Sequence, residues 1–241
     1  SLLPKLKEVI KDTNINTVVT CQAQDLKSQN YLAQDNHTSL IQAINMGSEL
    51  TLNERVNINL QDTCVLQYTG GTTGVSKGAE LTHENLLSNA AQTMERIGSR
   101  CQESEEIFVC PLPLYHIYAF TVNMLTFFSR GNLNVLIPNP RDIEAFVTAI
   151  KPFKFTGFSG INTLFVGLCQ SPEFKNLDFS SLKFTMSGGS ALTSGALGVW
   201  KEVTGCSISE GYGLSETSPV LCINQPGKEV LGTVGKPLLA T

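Results

Sequence analysis

The chain has 241 residues, 41% of them hydrophobic, with 17 basic and 21 acidic side chains and a net charge of −4. That apolar content can fill one large core or two small ones and excludes an intrinsically disordered chain. The slight acidity, with no basic stripe, excludes a protein that grips a phosphate backbone, so no nucleic acid partner is expected.

In chain order, the amino end SLLPKLKEVIKDTN carries neither an initiator Met nor a continuous apolar segment ahead of a small-residue cleavage site. It reads as an internal boundary and not as a signal peptide. Short apolar or β-branched runs at 16–21, 64–69, 106–111, 133–137 and 182–186 read as buried strands. The polar stretch 22–36 reads as a loop. The longest apolar run, 117–128, includes Thr121 and Asn123 and falls short of the ~20 residues of a membrane span, so a buried helix is expected there.

Three helices announce themselves by one apolar stripe each: Ile143, Phe146, Val147 and Ile150; Ile161, Leu164, Phe165 and Leu168; Ala196, Val199, Trp200 and Val203. Thr82 is placed to cap a helix starting at His83, and Gly205 to terminate the Trp200 helix. Strands alternating with helices predict an α/β fold with parallel-rich sheets flanked by helices on both faces. The seven cysteines are odd in number and widely spaced, with no C-x-x-C pair. They read as reduced thiols of a cytosolic protein, each a small buried hydrophobe, and none is assigned chemistry.

The sharpest motif is Tyr68-Thr69-Gly70-Gly71-Thr72-Thr73-Gly74-Val75-Ser76-Lys77-Gly78, between the apolar strand at 64–69 and the helix at His83. Read as strand, glycine loop and helix, it suits an anion. Glycines let backbone N–H groups turn toward a phosphate, Thr69, Thr72 and Thr73 add hydroxyls, and Lys77 adds a cation. A Walker loop is excluded because Lys77 follows Ser76 and precedes Gly78. An ordinary glycine-rich turn is the plain alternative.

This loop resembles the Thr/Ser-Gly-rich signature of the adenylate-forming superfamily, which includes acyl-CoA synthetases, luciferases and peptide-synthetase adenylation domains. Gly70 stands where serine is frequent in that family and Ser76 where proline is frequent, a variant similar to bacterial long-chain fatty acyl-CoA synthetases. Downstream, Gly211-Tyr212-Gly213-Leu214-Ser215-Glu216-Thr217 resembles the family's second signature, with Ser215 in place of the usual threonine. Its residue types fit the part unaided: an aromatic face for a purine, a hydroxyl for a phosphate, and one carboxylate for a Mg²⁺ that keeps its waters. By itself the heptapeptide is also compatible with a surface turn and a solvated glutamate.

Between them, Ser187-Gly188-Gly189-Ser190-Ala191-Leu192 resembles the segment that lines the adenine, and Leu112-Pro113-Leu114-Tyr115-His116-Ile117-Tyr118-Ala119-Phe120 the one that sits over the acid. The resemblance implies ATP or AMP contacts from Thr69, Gly70, Gly71, Thr72, Thr73, Gly74, Lys77, Gly188, Gly189, Ser190, Glu210, Gly211, Tyr212, Gly213 and Ser215. It implies Mg²⁺ at Glu216 and Thr72, with Thr72, Lys77, His116 and Glu216 as the catalytic set. His116 is the candidate contact to the acid's carboxylate; a satisfied core histidine is the alternative.

The segment 112–128 has no carboxylate to pair with a substrate ammonium and offers Phe120, Met124, Leu125, Phe127 and Phe128. Such a lining suits an alkyl chain, at about 0.8 kcal/mol per buried CH₂, although core packing explains the same residues. The reaction implied is attack of a fatty carboxylate on ATP to give acyl-AMP and pyrophosphate, then displacement of AMP by the thiol of CoA. Residues 1–241 are then expected to form part of an adenylation domain. A ribose-binding aspartate and a carboxy-terminal domain with a catalytic lysine would lie beyond Thr241, leaving the segment nearly inactive alone. The setting implied is cytoplasmic, compatible with peripheral contact at the inner face of a membrane. The competing readings are a non-catalytic nucleotide- or acyl-binding module, and an adenylating enzyme whose acceptor is a carrier protein or oxygen.

Overall fold

The structure, a computed structural model, describes residues 3–21, 37–51, 55–69 and 76–241. The chain forms two compact units, Ser1–Asn57 and Ile58–Thr241. In the first, helix α1 (Leu3–Val9) leads to strand β1 (Val19–Thr20), which pairs in parallel with β2 (Thr38–Ser39) ahead of helix α2 (Leu40–Ser48). Ser39 caps α2: its hydroxyl accepts the Gln42 N–H and the Gln42 side chain returns to the Ser39 N–H, so two helix-end donors are satisfied at once. The strand expected at 16–21 is confined to its β1 pair, and the polar loop expected at 22–36 lies outside the described residues.

The second unit begins with a hairpin, β3 (Thr63–Thr69) and β4 (Lys77–Thr82), antiparallel from Thr63↔Thr82 to Thr69↔Lys77. Here the structure corrects the reading of the glycine segment as strand, loop and helix. A second strand intervenes, and helix α3 (His83–Ile97) begins only after it. The strand at 64–69 is also not buried: Leu66 and Tyr68 are exposed, and Val65 and Ala79 pack inward on Leu81 and Leu86. Thr82 caps α3 as expected, its hydroxyl accepting the Asn85 N–H at 3.2 Å while Asn85 returns the bond at 3.0 Å.

The main body is a seven-stranded sheet. Five strands, β5 (Ile107–Cys110), β6 (Leu133–Leu136), β7 (Gly157–Gly160), β8 (Phe184–Ser187) and β9 (Ile208–Gly213), are parallel in the order β6-β5-β7-β8-β9. Two antiparallel strands, β10 (Val220–Ile223) and β11 (Lys236–Pro237), extend it beyond β9. Parallel neighbours need crossovers, and helices α4 (Ile143–Ile150), α5 (Asn162–Gln170), α6 (Pro172–Lys175) and α7 (Ser194–Thr204) supply them. Gly205 ends α7 in the left-handed region at φ 71°, as its sequence position suggested.

Side-chain alternation along the strands makes two cores. On one face Val109, Phe158 and Ile208 meet the predicted helix stripes through Phe146, Ile150, Phe165, Leu168 and Trp200. On the other, Phe108, Phe184 and Met186 meet Ile97, Val122 and Phe127. The segment behind Val122 and Phe127 is a π-helix, Ala119–Phe127, whose C-terminal cap N–H at Phe128 reaches back five residues to the Asn123 carbonyl. Apolar residues fall on every side of this run, so no single stripe favours the α-helical period, and six of its nine residues are buried while Phe120, Met124 and Leu125 are half-buried.

One polar side chain locks the antiparallel extension. Asn89 of α3 is buried, donates to the Val220 carbonyl at 2.7 Å and accepts the Val220 N–H at 3.0 Å, next to an irregularity in the β9–β10 register. Replacing Asn89 by Ala orphans both backbone groups in a dry setting and is expected to cost about 2–3 kcal/mol, measured as a lower urea midpoint at unchanged slope.

Candidate functional site

All five parallel strands present their carboxyl ends to one edge of the sheet, and an open α/β sheet holds its ligands in the crevice outside those ends. The order reverses at β5, since β6 lies on one side of it and β7 on the other. A cleft of about 310 Å³ opens along that edge, on the β8–β9 side of the sheet. Its walls come from Thr69 of the hairpin, His116 and Tyr118 after β5, Met186 to Gly189 at and beyond the end of β8, and Gly211 to Glu216 from β9 onward.

The cleft brings together the separate segments singled out in the sequence. Thr69, His116, Gly188, Gly189, Gly211, Tyr212, Gly213, Ser215 and Glu216 all line it. Gly70, Gly71, Thr72, Thr73 and Gly74 lie outside the described residues. Lys77 is the first residue of β4, exposed and paired in register with Thr69, and it stands beside the cleft rather than in its wall. The hairpin packs against the turn Ser215–Thr217, so the base of the glycine loop and the acidic turn are neighbours.

Backbone geometry explains why the glycines stand where they do. A Cβ at Gly213 would overlap the Pro219 carbonyl oxygen, so only glycine lets β9 and β10 close up at the cleft rim. Gly189 has φ +82°, the left-handed region in which the chain turns out of β8. Thr217 fixes the acidic turn from inside, its hydroxyl accepting the Leu214 N–H at 3.0 Å. That residue was only a letter of the motif in the sequence, and its turn-forming chemistry was the available signal.

Three side chains show what the cleft can do. His116 is exposed, not a satisfied core residue, and its Nδ1 accepts the Tyr118 N–H at 3.2 Å. That bond places the proton of the neutral ring on Nε2, as a donor for an oxyanion. Glu216 is exposed at the rim and makes no hydrogen bond or ion pair among the described residues, so its carboxylate is available to a cation. Tyr118 is the opposite case: burial pushes its phenol well above the usual range, and it enters the site as a neutral wall.

Glu210 departs from the expected direct contact. Its Oε1 accepts the Leu192 N–H at 3.1 Å and it is absent from the cleft wall. Ser190 is exposed on the loop after β8 and is likewise not part of the wall. The cysteines also divide. Cys101, Cys110 and Cys169 are buried, with thiols pushed up to about 11 chiefly by burial, whereas Cys21 and Cys64 are exposed, contrary to the expectation that all are core residues. Among the described residues no cluster of three metal-ligating side chains occurs, and no helix is long and apolar enough to cross a membrane.

The profile of the family described as AMP-binding enzyme matches residues 3–241. Long-chain-fatty-acid–CoA ligase of Haemophilus influenzae is 44% identical over 191 residues, covering 76% of this chain and 33% of that protein. The ligase of the same name from Bacillus subtilis is 37% identical over 181 residues, 75% of this chain and 32% of its own. The chain therefore spans about a third of the length of these curated relatives. Among solved structures, an anthranilate CoA ligase in complex with anthranoyl-AMP superposes with a TM-score of 0.83 at 23% identity, covering 99% of this chain and 44% of that one. The N-terminal domain of FACL13 from Mycobacterium tuberculosis gives 0.76 at 19% identity, covering 98% and 60%. At those identities the two structures speak for the fold alone.

Proposed function

The chain belongs to the AMP-binding enzyme family, and from that premise we propose that it is the nucleotide- and acid-holding segment of a long-chain fatty acyl-CoA ligase. One observation carries the reading: segments more than 140 residues apart, Thr69 on one hairpin and Glu216 on the acidic turn, face one cleft. A nucleotide that binds there meets Tyr212, an exposed aromatic face for a purine, and the Ser215 hydroxyl beside it for a phosphate. His116, with its donor on Nε2, orients the carboxylate of the acid toward the α-phosphate.

The residues fit a magnesium nucleotide. Mg²⁺ is held by one or two carboxylates plus phosphates and waters, and Glu216 lines the rim with a carboxylate that is unbonded among the described residues, with Thr72 as the proposed hydroxyl partner. When bound, the ion would neutralise charge on the phosphates. The protein's own work is positioning and donor placement. Attack by the acid yields acyl-AMP and pyrophosphate, and a CoA thiolate then takes the acyl group and releases AMP. Lys77, next to the cleft, balances the leaving pyrophosphate. Tyr118, Val122 and Met186 give the inner wall an apolar character suited to an alkyl chain. The seven free cysteines fit a reducing, cytoplasmic setting.

We place the ribose-binding aspartate and the catalytic lysine of the second half-reaction in sequence outside this segment, in keeping with the third of its relatives that it spans. Exchange of labelled pyrophosphate into ATP by the full-length protein, run across saturated fatty acids, tests the reading. Exchange that depends on a long-chain acid is expected, with CoA then consuming the adenylate. No acid-dependent exchange across the series would overturn it, and adenylate consumed only by a carrier protein would favour the alternative acceptor.

A further inference from the structure

The segment between β8 and α7, residues 188–193, has no regular structure of its own; Gly188 and Gly189 at its start line the cleft, and Leu192 near its end is half-buried against the core. Left to itself it would sample many conformations. Two acceptors from neighbouring elements reach its far end. Asn162, the first residue of α5 just beyond β7, accepts the Thr193 N–H at 2.8 Å and the Thr193 hydroxyl at 3.1 Å, both on Oδ1. Glu210, on β9, accepts the adjacent Leu192 N–H at 3.1 Å. Thr193 is also the cap of α7, accepting the Ala196 N–H at 3.2 Å, so the clamp and the helix start share one residue.

We propose that Asn162 and Glu210 are positioning residues that clamp the 188–193 loop from both sides, setting the Gly188–Gly189 wall of the cleft for the base of a nucleoside monophosphate or acyl-adenylate. Its consequence rests on the nucleotide reading above; its geometry does not. The arrangement also accounts for a carboxylate placed close to an anion site. Glu210 spends its charge on the N–H of Leu192, neither residue lining the cleft, and its own carbonyl accepts the Asn224 N–H at 3.0 Å, tying the clamp to the end of β10. The two clamp residues require an acceptor oxygen and nothing more, which separates this role from ligand contact.

Amide hydrogen exchange and AMP titration on the 241-residue chain test it together. Asn162→Ala and Glu210→Ala should each speed exchange at Leu192 and Thr193 about tenfold and weaken AMP binding by a similar factor, the loss of one well-placed hydrogen bond. Asn162→Asp and Glu210→Gln keep an acceptor and should restore both readouts to within about twofold. Exchange at Phe158, in the core strand β7, should stay fixed in all four and so distinguishes loop release from unfolding. Unchanged exchange at Leu192 and Thr193 in both alanine variants overturns the clamp. So does faster exchange with AMP affinity unaltered. A wild-type chain that binds no AMP would count against the nucleotide reading, and the exchange pattern alone would still decide the clamp.

Discussion

Exchanging Glu216 for Gln in the full-length protein is expected to lower acid-dependent pyrophosphate exchange by roughly a hundredfold or more while leaving the melting temperature nearly unchanged. The asymmetry follows from where the side chain stands. It is exposed at the rim, bonded to nothing among the described residues, so folding draws little from it. Glutamine keeps the shape and one oxygen but removes the charge that a hard cation requires. The loss should lessen as Mg²⁺ is raised if the carboxylate holds the ion. Equal activity of the variant at low Mg²⁺ would remove Glu216 from the site.

The second large effect is on stability. Trp200→Ala is expected to cost about 3–5 kcal/mol, read from urea unfolding of the chain. Trp200 is completely buried, with ring centroids 4.8 Å from Phe165, 5.0 Å from Phe158 and 5.7 Å from Phe174, and its indole N–H donates to the Thr185 hydroxyl at 3.0 Å. Alanine would leave a void among aromatic rings that cannot close over it, and the Thr185 hydroxyl on β8 would lose its donor and keep only its bond to Cys206 Sγ at 3.7 Å. Trp200→Phe keeps most of the volume and should recover more than half of the loss.

Regular patterns were legible in the sequence, and contacts between distant residues were not. The stripes of α4, α5 and α7 point to the buried residues found, and the runs at 106–111, 133–137 and 182–186 are strands of the parallel sheet. Strand β7 passed unread because Gly157 and Gly160 make a poor strand signal. Both are needed because the rings of Phe108 and Phe165 occupy the space a Cβ would take. Strand β4 was hidden between a glycine loop and a helix cap, although the inward alternation of Ala79 and Leu81 was there to read. For the site, glycine and aromatic motifs pointed to the cleft. Asn89 and Asn162 carried no such mark, since an asparagine on a helix acquires its task only when a partner 31 or 131 residues away arrives.

The parallel body and its rim also differ as places for a spectroscopic probe. The chain holds one tryptophan, and that indole sits in a dry aromatic nest on the helix-covered face, with its only donor committed to β8. Tryptophan emission from this chain therefore reports the integrity of the slab and is deaf to the cleft. Occupancy of the rim has to be followed through tyrosine, of which Tyr212 is the exposed reporter in the wall itself.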